Sequence, residues 1–400
     1  MEPASLVSAA ASLLLAALNL TFPPPPGSQP PADPAVCATM MDGCRDYGLT
    51  CEMHKVETED GYQLTAHRVL VPPGVPRRGA LLAVSGLIGC SDAFLLPYPE
   101  TSMLKPLSNA GYDVMLGNLR GSAYAGHRRW SHSQPEYWRF NLDEMGEYDL
   151  EALVGLTQRV TGDARPFYLG HSSGGGALYT WLQRRPRAHH VLRGALLWTP
   201  SVFYTEPHST IFKIYNLLPE SLVRALWQVP GDMLPRSRAT ADIAWRMCRS
   251  GSPLRNFCEA MYQFITNATL DSADMNRLPA IAAHASCGMP TTTIAHYLQN
   301  IRAKRLQAFD FGREENLSKY GSERPPAYHV ANSTLPTAFF LGTRDRLVSF
   351  EEAMRQIQMI PSNVKKMVVP LEGYGHFHIL FDKNVHGLVH EKMLSFMSEL

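Results

Sequence analysis

The sequence has almost no net charge. Its 37 Lys and Arg face 36 Asp and Glu, leaving a formal +1 over 400 residues, and no block of one sign stands out. A nucleic-acid partner calls for a basic face, so that class is set aside. No apolar run is comfortably long enough for a membrane-spanning helix, which needs about 20 residues. The glycine-rich stretch "GHSSGGG" has no lysine after it and does not supply G-x-G-x-x-G, which argues against nucleotide-phosphate binding. Cys37, Cys44 and Cys51 are spaced by seven and fit no zinc pattern. Neither a metal nor a cofactor is called for.

What is present begins with a charge-free run from Leu6 to Leu20. It suits the core of a signal peptide over 1–20, with cleavage near Ala17, although Glu2 stands where a basic residue is usual. A membrane anchor or a buried helix stays open as the other reading. The proline-rich segment 21–36 reads as an extended linker. Seven cysteines in a secretory chain leave at least one without a partner in the chain. Cys248 and Cys258 are the expected pair, because "MCRSGSPLRNFC" is short and loop-like. The pairing of Cys37, Cys44, Cys51, Cys90 and Cys287 is open, and Cys90 reads as a small buried residue rather than a reactive thiol. Sequons at Asn267, Asn316 and Asn332 agree with a secretory route, to a secreted or a lysosomal destination.

Short apolar runs ending in Gly, Asn or Pro alternate with helix-like stretches. "ALLAVSG", "DVMLGN", "PFYLG", "GALLWTP" and "TAFFLG" are continuous rather than alternating. Strands of that kind are buried on both faces, so the expected class is α/β, a mostly parallel sheet flanked by helices. The alternation stops between 203 and 328, which reads as a mostly helical insertion between core segments 37–202 and 329–400.

Ligands meet such sheets at the carboxyl ends of the strands. There "GHSSG" fits G-x-S-x-G between a strand and a helix, the setting of a nucleophile turn. Ser172 would stand at its tip, and Ser173 would offer its backbone N–H. A hydroxyl needs an oriented base. Asp345 follows the "TAFFLG" strand, and "YGHFHILF" after the last strand offers His376 and His378. His376 is preferred because it lies nearer the strand end and follows Gly375. Leu87, in the loop after "ALLAVSG", is the second candidate for a backbone donor to an oxyanion. Arg120 in "GNLRG" reads as the partner of a carboxylate such as Asp143 or Asp149.

With these residues in place, the chain resembles the acid lipase family, which includes gastric lipase and lysosomal acid lipase. The likeness runs from Val56 to Met397 and is most specific in "GNLRGSAYAGHRRWSHSQPEYWRFNLDEMGEYDLEA"; "GTRDRLV" and "YGHFHILF" carry the acid and histidine segments. It implies an α/β-hydrolase fold with a helical cap over 203–328. It implies a Ser172, Asp345 and His376 triad, with oxyanion donors on Leu87 and Ser173. It also implies neutral lipid esters, triacylglycerol or cholesteryl ester, met at a lipid–water interface. The chain departs from the family at Ser85 for His, Ser173 for Gln, His378 for Asp, and Gly175 and Gly176 for Thr-like residues. The two glycines are expected to let the cap or an acyl chain approach the nucleophile helix. Two rivals stand beside this reading: a non-catalytic lipid carrier on the same fold, and a short-chain esterase.

Overall fold

The computed structural model describes residues 40–96, 102–203, 217–266 and 275–400. The signal segment, the linker, Cys37 and the Asn267 sequon lie outside the described residues. Nine strands form one sheet: β1 (Cys51–Glu57), β2 (Tyr62–Val69), β3 (Gly79–Val84), β4 (Tyr112–Gly117), β5 (Ala125–His127), β6 (Phe167–His171), β7 (Ala195–Trp198), β8 (Thr337–Gly342) and β9 (Lys366–Leu371). Their order is β1-β2-β4-β3-β6-β7-β8-β9, with β5 paired to β2. From β4 to β9 every pairing is parallel, while β2 is antiparallel to β1, β4 and β5.

The continuous apolar runs are the inner strands β3, β4, β6, β7 and β8, buried along nearly their whole length. Side chains alternate across a strand, so Leu82 and Val84 of β3 enter one core while Leu81 and Ala83 enter the other. Helices cover both faces. The outer strand β9 is only half-buried and carries an exposed Pro370, a residue suited to a sheet edge. Between β7 and β8 the named elements of the described residues are helical. They include Glu220–Gln228, Arg238–Cys248, Arg255–Thr266, Leu278–His284 and Thr291–Ala303.

Three disulfides are formed: Cys44–Cys51, Cys248–Cys258 and Cys90–Cys287. The expected Cys248–Cys258 pair is among them. Cys90 is buried, as read, but it is not a lone residue, because Cys287 reaches it across 197 positions of sequence. In the chain-entropy account a loop of that length stabilises the fold by on the order of 5 kcal/mol.

Two further residues singled out in the sequence can be placed. In the fold Asn316 is not presented to solvent. It is buried, and its amide donates to Asp310 Oδ1 (2.8 Å) and the Glu323 carbonyl (3.0 Å), while its oxygen accepts from Phe311 N–H (3.0 Å). Asn332 is exposed. Arg120 pairs with a carboxylate, as read, and of the two candidates it is Asp149. Its Nε and backbone N–H each meet that carboxylate at 2.8 Å, and its outer nitrogens grip Asp60 at 2.6 and 2.9 Å. Asp143 instead accepts from Phe309 N–H (2.9 Å) and Tyr328 Oη–H (3.0 Å). Arg120 and Asp149 have fully buried side chains, so removing the cation strands a carboxylate in the interior. Arg120→Met is expected to cost about 3–5 kcal/mol of stability, measured by denaturant unfolding.

Candidate active site

β6 ends at His171, and Ser172 turns the chain into the helix Ser173–Arg184 with φ 50° and ψ −113°. A non-glycine residue held at positive φ is strained and stays so only where its surroundings fix it. The glycines around it make the turn possible. A Cβ on Gly174 would lie 2.5 Å from the Val84 carbonyl oxygen of β3, and one on Gly175 would lie 2.5 Å from Pro200 Cβ after β7. The room at Gly175 is therefore taken by Pro200, not by the cap or an acyl chain. A Cβ on Gly176 would meet the Ser201 carbonyl oxygen at 3.3 Å, Leu142 Cδ2 at 3.4 Å and, from the helical insertion, Tyr297 Oη at 3.4 Å.

Ser172 Oγ lies 2.8 Å from His376 Nε2, and His376 Nδ1 lies 2.8 Å from Asp345 Oδ2. A carboxylate only accepts, so Nδ1 carries the proton and Nε2 is left to accept from the serine hydroxyl. Asp345 follows β8. Its other oxygen is fixed by the Leu347 and Val348 N–H groups at 2.8 and 3.0 Å. The His376 side chain is 2% exposed and that of Asp345 1%, so the pair works away from water. The His376 carbonyl accepts from Thr199 Oγ–H (3.3 Å) and His171 Nε2–H (3.4 Å), which ties the histidine loop to the ends of β6 and β7. Burial drives the His171 pKa down to about 3, and the neighbouring His376 adds to the shift, so His171 stays neutral.

His378 stands apart from this chain of contacts. Its Nδ1 accepts from Gly375 N–H at 2.8 Å and its ring stacks on Tyr374. Burial lowers its pKa against the opposing charge of Asp382. It opens the short helix His378–Phe381 and buttresses the loop that carries His376.

Leu87 and Ser173 both line the cavity that holds Ser172. Ser173 is the first residue of its helix, where N–H groups have no partner inside the helix. Leu87 follows Gly86, on which a Cβ would stand 3.1 Å from Ser172 Cβ. The sequence reading missed Ser201, whose Oγ is 3.0 Å from Ser172 Oγ. Its signal was positional: β7 lies beside β6 with His171 opposite Trp198, and the chain past Pro200 turns back so that Ser201 N–H donates to the Ser172 carbonyl at 2.9 Å.

The cavity is about 570 Å³ and mostly apolar, with walls that include Leu96, Met247, Tyr262, Ile281, Ile301 and Leu380. That volume suits a ligand of substantial size, and Ser172 and His376 are among the few polar groups of the lining.

The loop after β3 is also bound to the insertion. Arg236 Nη1 donates to Asp92 Oδ2 (2.7 Å), His284 Nδ1 meets the same oxygen (2.8 Å), and Tyr124 Oη donates to Oδ1 (2.8 Å). Burial alone would raise the Asp92 pKa. The His284 hydrogen bond and the Arg236 cation outweigh it and bring the group down to about 2. A carboxylate depressed on folding contributes its stability above the ordinary 3.8 and loses it as the pH falls through about 2. The stability gap between the native chain and Asp92→Asn is thus expected to be full at neutral pH and to close across that acidic window. Thermal melts of both proteins as a function of pH check this.

Residues 79–383 match the family model of the alpha/beta hydrolase fold, and residues 40–97 match that of a partial alpha/beta-hydrolase lipase region. The chain is 28% identical to gastric triacylglycerol lipase of Bos taurus over 88% of this chain and 89% of that one. It is 28% identical to lipase member M of Homo sapiens, over 84% and 79% of the two chains. It is 25% identical to lipase 3 of Drosophila melanogaster, over 96% and 97%. A solved structure of a soluble variant of monoglyceride lipase from Saccharomyces cerevisiae, in complex with a substrate analogue, matches with a TM-score of 0.53 at 18% identity. That match covers 86% of this chain and 94% of the yeast chain, and at such identity it speaks to the fold. These relatives bear out the acid-lipase resemblance read from the sequence. With a parallel sheet, a serine on a strained strand-to-helix turn and the family model matched over 79–383, the chain belongs to the alpha/beta hydrolase fold family.

Proposed function

We propose that the protein is a serine lipase that hydrolyses neutral lipid esters, triacylglycerol or cholesteryl ester, through an acyl-enzyme on Ser172. The observation that carries this reading is the Ser172–His376–Asp345 hydrogen-bond chain, whose Ser172 and His376 line a large apolar cavity. Ser172 Oγ attacks the ester carbonyl carbon as its proton passes to His376 Nε2. Asp345 keeps Nδ1 protonated and stabilises the imidazolium. The Leu87 and Ser173 N–H groups receive the developing oxyanion. His376 then protonates the departing alcohol. Water attacks the acyl group in turn, giving one proton to His376, and the C–Oγ bond breaks as Ser172 regains its proton.

The helices over 203–328 serve as a cap on this site. Met233, Phe257 and Met261 line the cavity and are also exposed to solvent, by 38, 55 and 38%. Apolar residues with both properties fit delivery of substrate from a lipid–water interface. The gastric and other lipase relatives, together with three disulfides, support a secretory route, secreted or lysosomal.

Ser201 steadies the nucleophile. The Ser172 proton is directed at His376, so the Ser201 hydroxyl donates to Ser172 Oγ. Ser201→Ala is expected to lower kcat about fivefold, the worth of one hydrogen bond of about 1 kcal/mol, with KM unchanged. Steady-state kinetics on a soluble ester read this directly.

The proposal is tested by an ester panel of triacylglycerol, cholesteryl ester and short-chain esters, run from acidic to neutral pH. It is paired with labelling by a serine-directed phosphonate. Turnover of long-chain neutral esters with label on Ser172 is the expected result. Turnover of short-chain esters alone would make the protein a short-chain esterase. Absence of both turnover and label would make it a carrier and end the lipase reading.

A further inference from the structure

Leu87 sits between two fixed points. On one side is Gly86, pressed against Ser172. On the other is Ile88, whose carbonyl accepts from Cys287 N–H at 2.8 Å. Cys287 belongs to the stretch between β7 and β8, and its side chain is bonded to Cys90, three residues beyond Leu87. Its carbonyl also accepts from Ala123 N–H at 2.7 Å, in the segment after β4. Two residues past Cys90, Asp92 is gripped by Arg236 and His284, again from that stretch. Arg236 Nη1 also stands 3.2 Å from Cys287 Sγ, so the disulfide and the ion pair form one joint.

The sheet holds the same loop less directly at Leu87. Ser91 N–H donates to Asn118 Oδ1 at 2.8 Å, and Ser91 Oγ meets His67 Nδ1 at 2.9 Å. Those contacts fix the far side of the loop. Leu87 itself packs against the core, and Gly89 N–H closes its turn by donating to the Gly86 carbonyl at 3.0 Å, while the hydrogen bond from Cys287 to Ile88 comes from the helical insertion.

We infer that the Cys90–Cys287 bridge and the Asp92–Arg236–His284 cluster are positioning groups for the Leu87 N–H, so that the oxyanion hole is completed by the insertion and not by the sheet alone. The inference rests on the lipase reading above. An oxyanion donor works only when aimed at the place where charge develops, and loss of one such donor costs a hundredfold or more in turnover. A loop released from its outer anchor keeps its fold and its apolar walls but loses that aim. The expected signature is a fall in kcat at nearly constant KM, which a staple serving stability alone would not produce.

The test compares three full-length proteins on a soluble short-chain ester: native, Cys90→Ser/Cys287→Ser and Cys44→Ser/Cys51→Ser. The last pair opens a bridge between the helix Met40–Asp46 and β1, and neither of its cysteines lines the cavity. The expected result is a loss of kcat of about 10- to 100-fold in the first variant, with KM within about twofold and phosphonate labelling slowed in parallel. The second variant should keep the native kcat. Should Cys90→Ser/Cys287→Ser fail to fold, the native protein is titrated with a mild reductant and the opened bridges are mapped by alkylation. Loss of kcat should then track opening of Cys90–Cys287 and reverse on reoxidation. An unchanged kcat with that bridge open overturns the inference, as does an equal kcat loss in both variants. Native protein that neither hydrolyses esters nor takes the label would overturn the lipase reading itself, which is a separate result.

Discussion

Ser172→Ala is expected to lower kcat for ester hydrolysis by about 10⁵- to 10⁶-fold while leaving thermal unfolding close to native. The size of the effect follows from how the site is built. Ser172 Oγ is the acceptor of the Ser201 hydrogen bond and sits 2.8 Å from His376 Nε2. Removing it leaves the base with nothing to deprotonate except water. Water at that position is untethered, and the covalent route is closed. Alanine keeps the Cβ that the strained turn already tolerates, so the strand, the turn and the helix remain. The measurement is a progress curve on a long-chain ester beside a melt of the same sample. Retained hydrolysis would remove Ser172 from the mechanism.

Asp345→Asn is the second large effect, about 10⁴-fold in kcat. Here the shape survives and the protonation pattern fails. One oxygen of Asp345 is already committed to the N–H groups of Leu347 and Val348. An asparagine must keep its carbonyl there, because the amide nitrogen cannot accept. Its NH₂ then faces His376 Nδ1, which has to accept. That tautomer places the ring proton on Nε2, toward Ser172, and the imidazole can no longer take the serine proton. The expected readout is a kcat loss across the whole pH range with an unaltered melt. A loss confined to acidic pH would point to simple titration of the histidine instead.

Much of this site was legible because the chemistry sits next to backbone signals. Continuous runs such as "TAFFLG" announce a strand buried on both faces, and the residues just past them must lie along one edge of the sheet. Ser172, Asp345 and His376 were each found in that way, and the structure brings them together. The choice between His376 and His378 turned on a difference of two residues. In the structure His376 Nε2 stands at Ser172 Oγ, while His378 Nδ1 accepts from Gly375 N–H behind it.

What stayed hidden depends on contacts between distant segments. Nothing local says that Cys90 finds Cys287, since their approach depends on how the insertion settles over the loop. A sequon at Asn316 carries no information on burial, and the asparagine proved to hold Asp310, Phe311 and Glu323 together. Arg120 had two acidic candidates on the same stretch, and only the geometry of the helical turn decides that Asp149 faces it. Ser201 escaped notice because its closeness to Ser172 is a property of neighbouring strands, not of neighbouring residues.

The strand order also sets how activity can be lost. Ser172 hangs from β6, in the middle of the sheet, whereas His376 hangs from β9, an edge strand whose only strand partner is β8. Proteins open piecemeal, and peripheral elements detach at a lower free energy than the whole. The hydrogen bonds of the His376 carbonyl to Thr199 and His171 are thus what joins the base on this edge strand to the centre of the sheet.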